Sequence, residues 1–192
     1  MLTLLVLIWA ITINHLPVEK SPNTPHPRYP LSTSPSLVSA SISKGNCASE
    51  DLLRRQMVIM INRARAQPRS CGPMFFEKAP PVQWNETLEK AAWLHSHKMA
   101  TENFFAHRGP DSTHVGIRVQ SFGYDWQFVG ENIYAGIETV SEAVYGWLES
   151  EGHCKTIMNP DYTELGAACV ANRTSQYESY WTQVFASPKG LK

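Results

Sequence analysis

Three short segments hold the residues best suited to chemistry: Phe104-Phe105-Ala106-His107, Gly130-Glu131-Asn132-Ile133, and Trp147-Leu148-Glu149-Ser150-Glu151-Gly152-His153. Each sets an imidazole or a carboxylate beside a glycine or an aromatic, as parts of one folded site would. Two neutral imidazoles and a carboxylate suit zinc or another divalent ion, with positions left for water. The carboxylate could instead hold a histidine in one tautomer, as in general-base sites. A third arrangement is a buried hydrogen-bond network that only orders a cleft. The chain has no Gly-x-Ser-x-Gly elbow, no His-Glu-x-x-His helix and no phosphate-binding glycine loop. His95 and His97 tempt as a metal pair, but residues two apart on a helix point to different faces. His95 is therefore expected to be packed and His97 solvated.

The elements that must position these groups are legible in outline. Leu52, Leu53, Met57, Ile61 and Ala64 recur at helical spacing from a cap at or near Ser49 to about Gln67, ahead of Pro68. Asn85 is a good N-cap for a second helix, with Glu86 and Glu89 near its positive end and Leu88, Ala91, Ala92, His95 and Met99 on one face. Thr139-x-x-Glu142 has capping-box spacing and is followed by Val140, Ala143, Val144 and Trp147, with Gly152 expected as the residue closing that helix. Val129–Tyr134 reads as a strand. Gly166–Ala171 and Ser179–Phe185 read as two more, joined by an Asn172-Arg173-Thr174-Ser175 turn into a terminal hairpin. Helices at both ends and strands between and after them predict a mixed α/β layered fold, whose strand order periodicity does not determine.

Leu2–Ile13 is an apolar run of the length of a signal-peptide core and short of the ~20 residues of a spanning helix. Residues 1–16 therefore read as an export signal or, uncleaved, as an N-terminal anchor. Residues 17–46 are rich in Pro, Ser and Thr and read as an extended linker. Residues 47–188 then form one domain. Formal net charge is zero, with 17 acidic and 17 basic residues, which argues against nucleic acid as a partner. Cys47, Cys71, Cys154 and Cys169 form no close pair of the zinc or thiol-redox kind, and in an exported protein they imply two disulfides of three possible connectivities. Asn85-Glu86-Thr87 and Asn172-Arg173-Thr174 are glycosylation sequons, relevant only in a eukaryotic secretory pathway.

Taken together, the motifs resemble the cysteine-rich secretory, antigen 5 and pathogenesis-related superfamily, the CAP or SCP domain. The resemblance runs from Asn62-x-x-Arg65 through Trp84-Asn85-x-x-Leu88, His95–Ala100, the Phe104, Gly130 and Trp147 motifs, Asn159-Pro160 and Glu164-Leu165-Gly166 to Tyr180–Phe185. The short spacing from Trp147 to His153 is that of bacterial members. The resemblance implies an α+β fold, a three-layer α-β-α sandwich, with a cleft lined by two histidines and two acids. Carried over, these are His107, His153 and Glu131. Ser150 stands where longer members have the second acid, with Glu149 and Glu151 flanking it. The resemblance also pairs Cys71 with Cys154, leaving Cys47 to Cys169.

Two classes of function follow from the resemblance. In the first, a monomeric protein, secreted to the extracellular space or periplasm, binds a divalent metal ion or a small lipophilic ligand in a cleft of His107, Glu131, His153, Ser150 and Glu149. His107 and His153 are then the metal ligands, and zinc or a similar cation is the cofactor. In the second, a secreted hydrolase of protease type uses His107 and Glu131 with Ser150 or a metal-bound water. Binding is the preferred reading, since no activated nucleophile motif is present. A membrane is a partner only if the N-terminal segment stays uncleaved.

Overall fold

The computed structural model describes residues 47–190, and the export-signal and linker readings lie outside the described residues. The chain order is α1 (Glu50–Arg65), a hairpin of β1 (Arg69–Cys71) and β2 (Met74–Phe76), β3 (Gln83–Trp84), α2 (Glu86–Glu102), α3 (Val115–Ser121), β4 (Trp126–Ala135), α4 (Val140–Glu149), α5 (Glu151–Met158), β5 (Glu164–Ala171) and β6 (Ser179–Pro188). A four-stranded sheet of order β3-β5-β6-β4 forms the middle layer, with β3 parallel to β5 and the other pairs antiparallel. Helices α1, α4 and α5 cover one face; α2, with α3 beside it, covers the other. This is the three-layer α-β-α sandwich.

Strand alternation sorts the core between the layers. Leu165, Ala167, Trp181 and Phe185 face α1, α4 and α5 and pack with Met57, Ile61, Val144, Trp147 and Ile157. Ala168, Val184 and Ala186 turn the other way, onto Leu88, Ala91 and Ala92 of α2. Gly166 permits the second packing, because a Cβ there would collide with the backbone of Leu88 and Glu89. β6 is buried over nearly its whole length, while β4 is an edge strand.

Arg65 locks the α1 layer. Its buried guanidinium donates to the carbonyls of Pro80, Ile157, Asn159 and Tyr162 at 2.6–3.0 Å. Two of these lie at the C-terminal end of α5, where unpaired carbonyls favour a cation. Burial lowers its pKa to about 10, so it stays charged at neutral pH. One turn earlier, Asn62 exchanges two hydrogen bonds with the backbone of Val82. The cysteines pair as Cys47–Cys169 and Cys71–Cys154, with Cα separations of 5.7 and 5.5 Å, inside the normal range.

One boundary differs from the sequence expectation. Gly152 does not close the capped helix; it lies near the start of α5. The break falls at Ser150, whose extended backbone (φ −89°, ψ 124°) ends α4 and starts α5, its carbonyl accepting from Cys154 N at 2.8 Å. Serine is a favoured N-cap, and the new helix direction carries Cys154 onto Cys71. Sequence periodicity also passed over α3 and the β1–β2 hairpin, elements of seven and three residues with little pattern to read.

Candidate functional site

The site is built on β4, whose neighbouring residues point to opposite faces of the sheet. Glu131 turns toward the α2 layer and Asn132 toward α5. Each meets one of the motif histidine segments.

His107 arrives on the loop after α2. Asn103, in the left-handed conformation (φ 53°, ψ 53°), ends that helix, and Phe104 N bonds back to Met99 O at 3.2 Å. Phe104 then packs beside Met99, Ala100, Ile133 and Tyr180 and meets the His95 ring edge-on at 6.0 Å between centroids. Phe105 turns outward against Tyr177. The next carbonyl, that of Ala106, accepts from His95 Nε2 at 2.9 Å. These contacts aim His107 at β4, where its Nδ1 lies 3.0 Å from Glu131 Oε1. The His107 side chain is 57% exposed and that of Glu131 only 3%, so the imidazole spans from a buried carboxylate to solvent.

Arg118 and His95 complete this half of the site, and sequence reasoning gave them no role there. Arg118, buried in α3, pairs through Nη2 with Glu131 Oε2 and donates through Nη1 to the carbonyls of Thr113 (3.1 Å) and His107 (3.3 Å). Both carboxylate oxygens of Glu131 are thus occupied. His95 is wholly buried, with Nε2 3.9 Å from Glu131 Oε1 and Nδ1 without a hydrogen-bond partner among the described residues. Burial, followed by smaller opposing effects of the Glu131 and Arg118 charges, pushes its pKa down to about 4, so it is neutral at physiological pH. His97 is half-buried and stacks on Trp93 at 4.7 Å, away from this cluster.

His153 belongs to the other layer, in the first turn of α5. Asn132 Nδ2 donates to its carbonyl at 3.3 Å and to Gln183 Oε1 at 2.9 Å. Burial, and then the charge of His107, lower the His153 pKa, so its imidazole is neutral at neutral pH. The flanking acids stay away. Glu149 is exposed with no hydrogen bond to His107, Glu131 or His153 among the described residues, and Glu151 pairs with Lys155 and lies against Gly72. Ser150 likewise has no hydrogen bond to either histidine among the described residues, and its side chain makes no cap bond. No group of three or more His, Cys, Asp or Glu among the described residues is placed to hold a metal ion. As donors, the imidazoles of His107 and His153 fit such an ion; Glu131, held by Arg118, fits the position behind His107.

One cavity adjoins the site and a second lies apart from it. The first, of about 280 Å³, is lined by His107, Arg108, His114, Val115 and Glu131. A larger one, about 480 Å³, lies elsewhere, between α1 and α2, with Leu53, Arg54, Trp93, Leu94 and Phe122 in its walls. Of the sequon asparagines, Asn85 caps α2 and Asn172 Nδ2 donates to Ala100 O at 2.7 Å.

A three-layer sandwich with a histidine–carboxylate site on its edge strand β4 defines the class of protein. The chain belongs to the cysteine-rich secretory protein family, CAP, whose model matches residues 60–185. It is 39% identical over 105 residues to the uncharacterized Bacillus subtilis protein YkwD and 36% identical over 85 residues to the uncharacterized membrane protein YlbC of the same organism. These alignments cover 55% and 44% of this chain but only 39% and 25% of those relatives. Among solved structures, an extracellular SCP-domain protein of Bacillus anthracis superposes with a TM-score of 0.59 at 29% identity, over 71% of this chain and 41% of that one. An outer surface protein of Borrelia burgdorferi shares the fold with a TM-score of 0.58 at 17% identity, over 72% and 92% of the two chains.

Proposed function

We propose that this domain is an extracellular binding module whose His107–Glu131–His153 edge takes a divalent transition-metal ion. Its extracellular placement is supported by its likeness to the extracellular Bacillus anthracis protein and by two disulfides, which persist in oxidising compartments. The observation that carries the binding reading is the chain Arg118–Glu131–His107. A carboxylate on Nδ1 keeps the proton there and leaves the Nε2 lone pair free, the usual way an outer carboxylate prepares a histidine ligand. His153, held neutral by burial, offers the second imidazole. The hydrolase reading lacks such support, since among the described residues no base is hydrogen-bonded to the Ser150 hydroxyl.

Zinc calorimetry on the full chain at neutral pH tests this reading. Saturable binding is expected in the wild type and in His97→Ala, with strong loss in His107→Ala and His153→Ala. Glu131→Gln should weaken binding by roughly 10–100-fold, as for an outer-shell partner. No saturable binding, or equal affinity in His107→Ala, would leave the edge a structural network. The lipophilic-ligand reading rests on a separate observation, the larger cavity walled by Leu53, Trp93 and Leu94. Quenching of Trp93 fluorescence by a fatty acid, abolished by Leu53→Asp, would support it.

A further inference from the structure

We propose that the cavity beside His107 is an oxyanion site, which receives a carboxylate or phosphate group on Arg108 and His114. The argument begins with charge. Of the cavity's lining residues, Glu131 is the acid, and both of its oxygens are engaged, one by His107 Nδ1 and the other by Arg118. Its negative charge is offset by Arg118 directly behind it. Arg108 then leaves a surplus of one positive charge before either imidazole is counted. The neighbouring Asp111 does not cancel it, since its oxygens are taken by Lys98 and by the amide and hydroxyl of Thr113.

Donor geometry points the same way. Arg108 spends one nitrogen, Nη1, on Ser112 O at 3.1 Å and keeps its remaining N–H groups, the planar fork that suits oxyanions. His114 is the N-cap residue of α3 but makes no side-chain cap bond, so its ring nitrogens are not spent there. The ring rests over Gly116, where a Cβ would stand 3.0 Å from Cε1.

The intervening loop brings these two residues together. Gly109 N bonds to Thr113 O at 3.0 Å and Ser112 N to Gly109 O at 2.8 Å, folding residues 109–113 back on themselves. Arg118 fastens both ends by donating to the carbonyls of His107 and Thr113. Arg108 and His114, six positions apart in sequence, therefore line one cavity already organised before a ligand arrives, which lowers the ordering cost of binding. At about 280 Å³ the cavity admits either oxyanion group.

This site does not rest on the metal reading, and its test is done without metal. The full chain, held in chelator at constant ionic strength, is titrated with inorganic phosphate and, separately, with acetate. The Arg108 side-chain N–H and the His114 ring resonances are followed by NMR. Saturable shifts at both residues are expected with at least one anion, and the tighter of the two names the group. Arg108→Gln should weaken binding about tenfold or more, the size expected for one charge-assisted hydrogen bond. His114→Asn should weaken it as well, while Lys155→Gln, on α5 and paired with Glu151, should leave it unchanged. Shifts that rise without saturating, or an affinity unaltered in both Arg108→Gln and His114→Asn, overturn the proposal. A zinc titration that fails leaves this result standing, and the reverse holds too.

Discussion

Replacing His95 with Gln should flatten the acid side of the stability profile. In the folded protein the His95 imidazole is wholly buried, gives its Nε2 proton to Ala106 O, and would have to take a second proton on Nδ1, which has no partner among the described residues. Its pKa is lowered to about 4, whereas the unfolded chain protonates near ~6.5. Because the folded pKa is the lower one, the unfolded state takes the proton first as pH falls. Stability is therefore complete above ~6.5 and is lost progressively down to about 4. Taking the two pKa values through the linkage relation, the loss between about pH 7 and about pH 4.5 is on the order of 2 kcal/mol. The assay is urea unfolding with disulfides intact at those two pH values. Gln can still donate to Ala106 O but does not titrate, so the wild type should lose roughly 2 kcal/mol more than His95→Gln. His153, whose pKa is also lowered, contributes in the same direction in both proteins and cancels in the comparison. Equal pH dependence in the two would refute the reasoning and mean that His95 is not held neutral in the fold.

Three further perturbations test the scaffold. Arg118→Met strands the buried Glu131 carboxylate and should cost about 3–5 kcal/mol by urea unfolding, with part recovered when Glu131→Gln is added. Gly166→Ala drives a methyl into the backbone of Leu88 and Glu89 and should cost on the order of 1–3 kcal/mol or more, seen as a fall in Tm. Removing the Cys71–Cys154 bridge by the double Ala substitution should cost about 2–4 kcal/mol, while peptide mapping of the variant still finds Cys47 linked to Cys169.

Local pattern announced the elements with strong local signals. The Asn85 cap of α2 accepts from the amides of Thr87 and Leu88, and the Thr139–Glu142 capping box is present in full. The β5–β6 hairpin likewise follows its two β-prone runs and the Asn172 turn between them. Such features depend on residues a few positions apart, whose geometry the chain sets by itself. Likeness to a family added the cysteine pairs, which local pattern left among three connectivities. What only the tertiary structure decided is who shares the site. Arg118 falls in a segment where sequence pattern gave no element, and His95 reads as a packed helix position, yet both stand against Glu131 once α2 and α3 pack on the same face of β4. Glu149 and Ser150 adjoin a motif histidine in sequence, but the break at Ser150 starts a new helix and sets neither in hydrogen-bond contact with His107 or His153. A charge partner is chosen by proximity in a low-dielectric interior, and that proximity comes from layers whose residues are far apart along the chain.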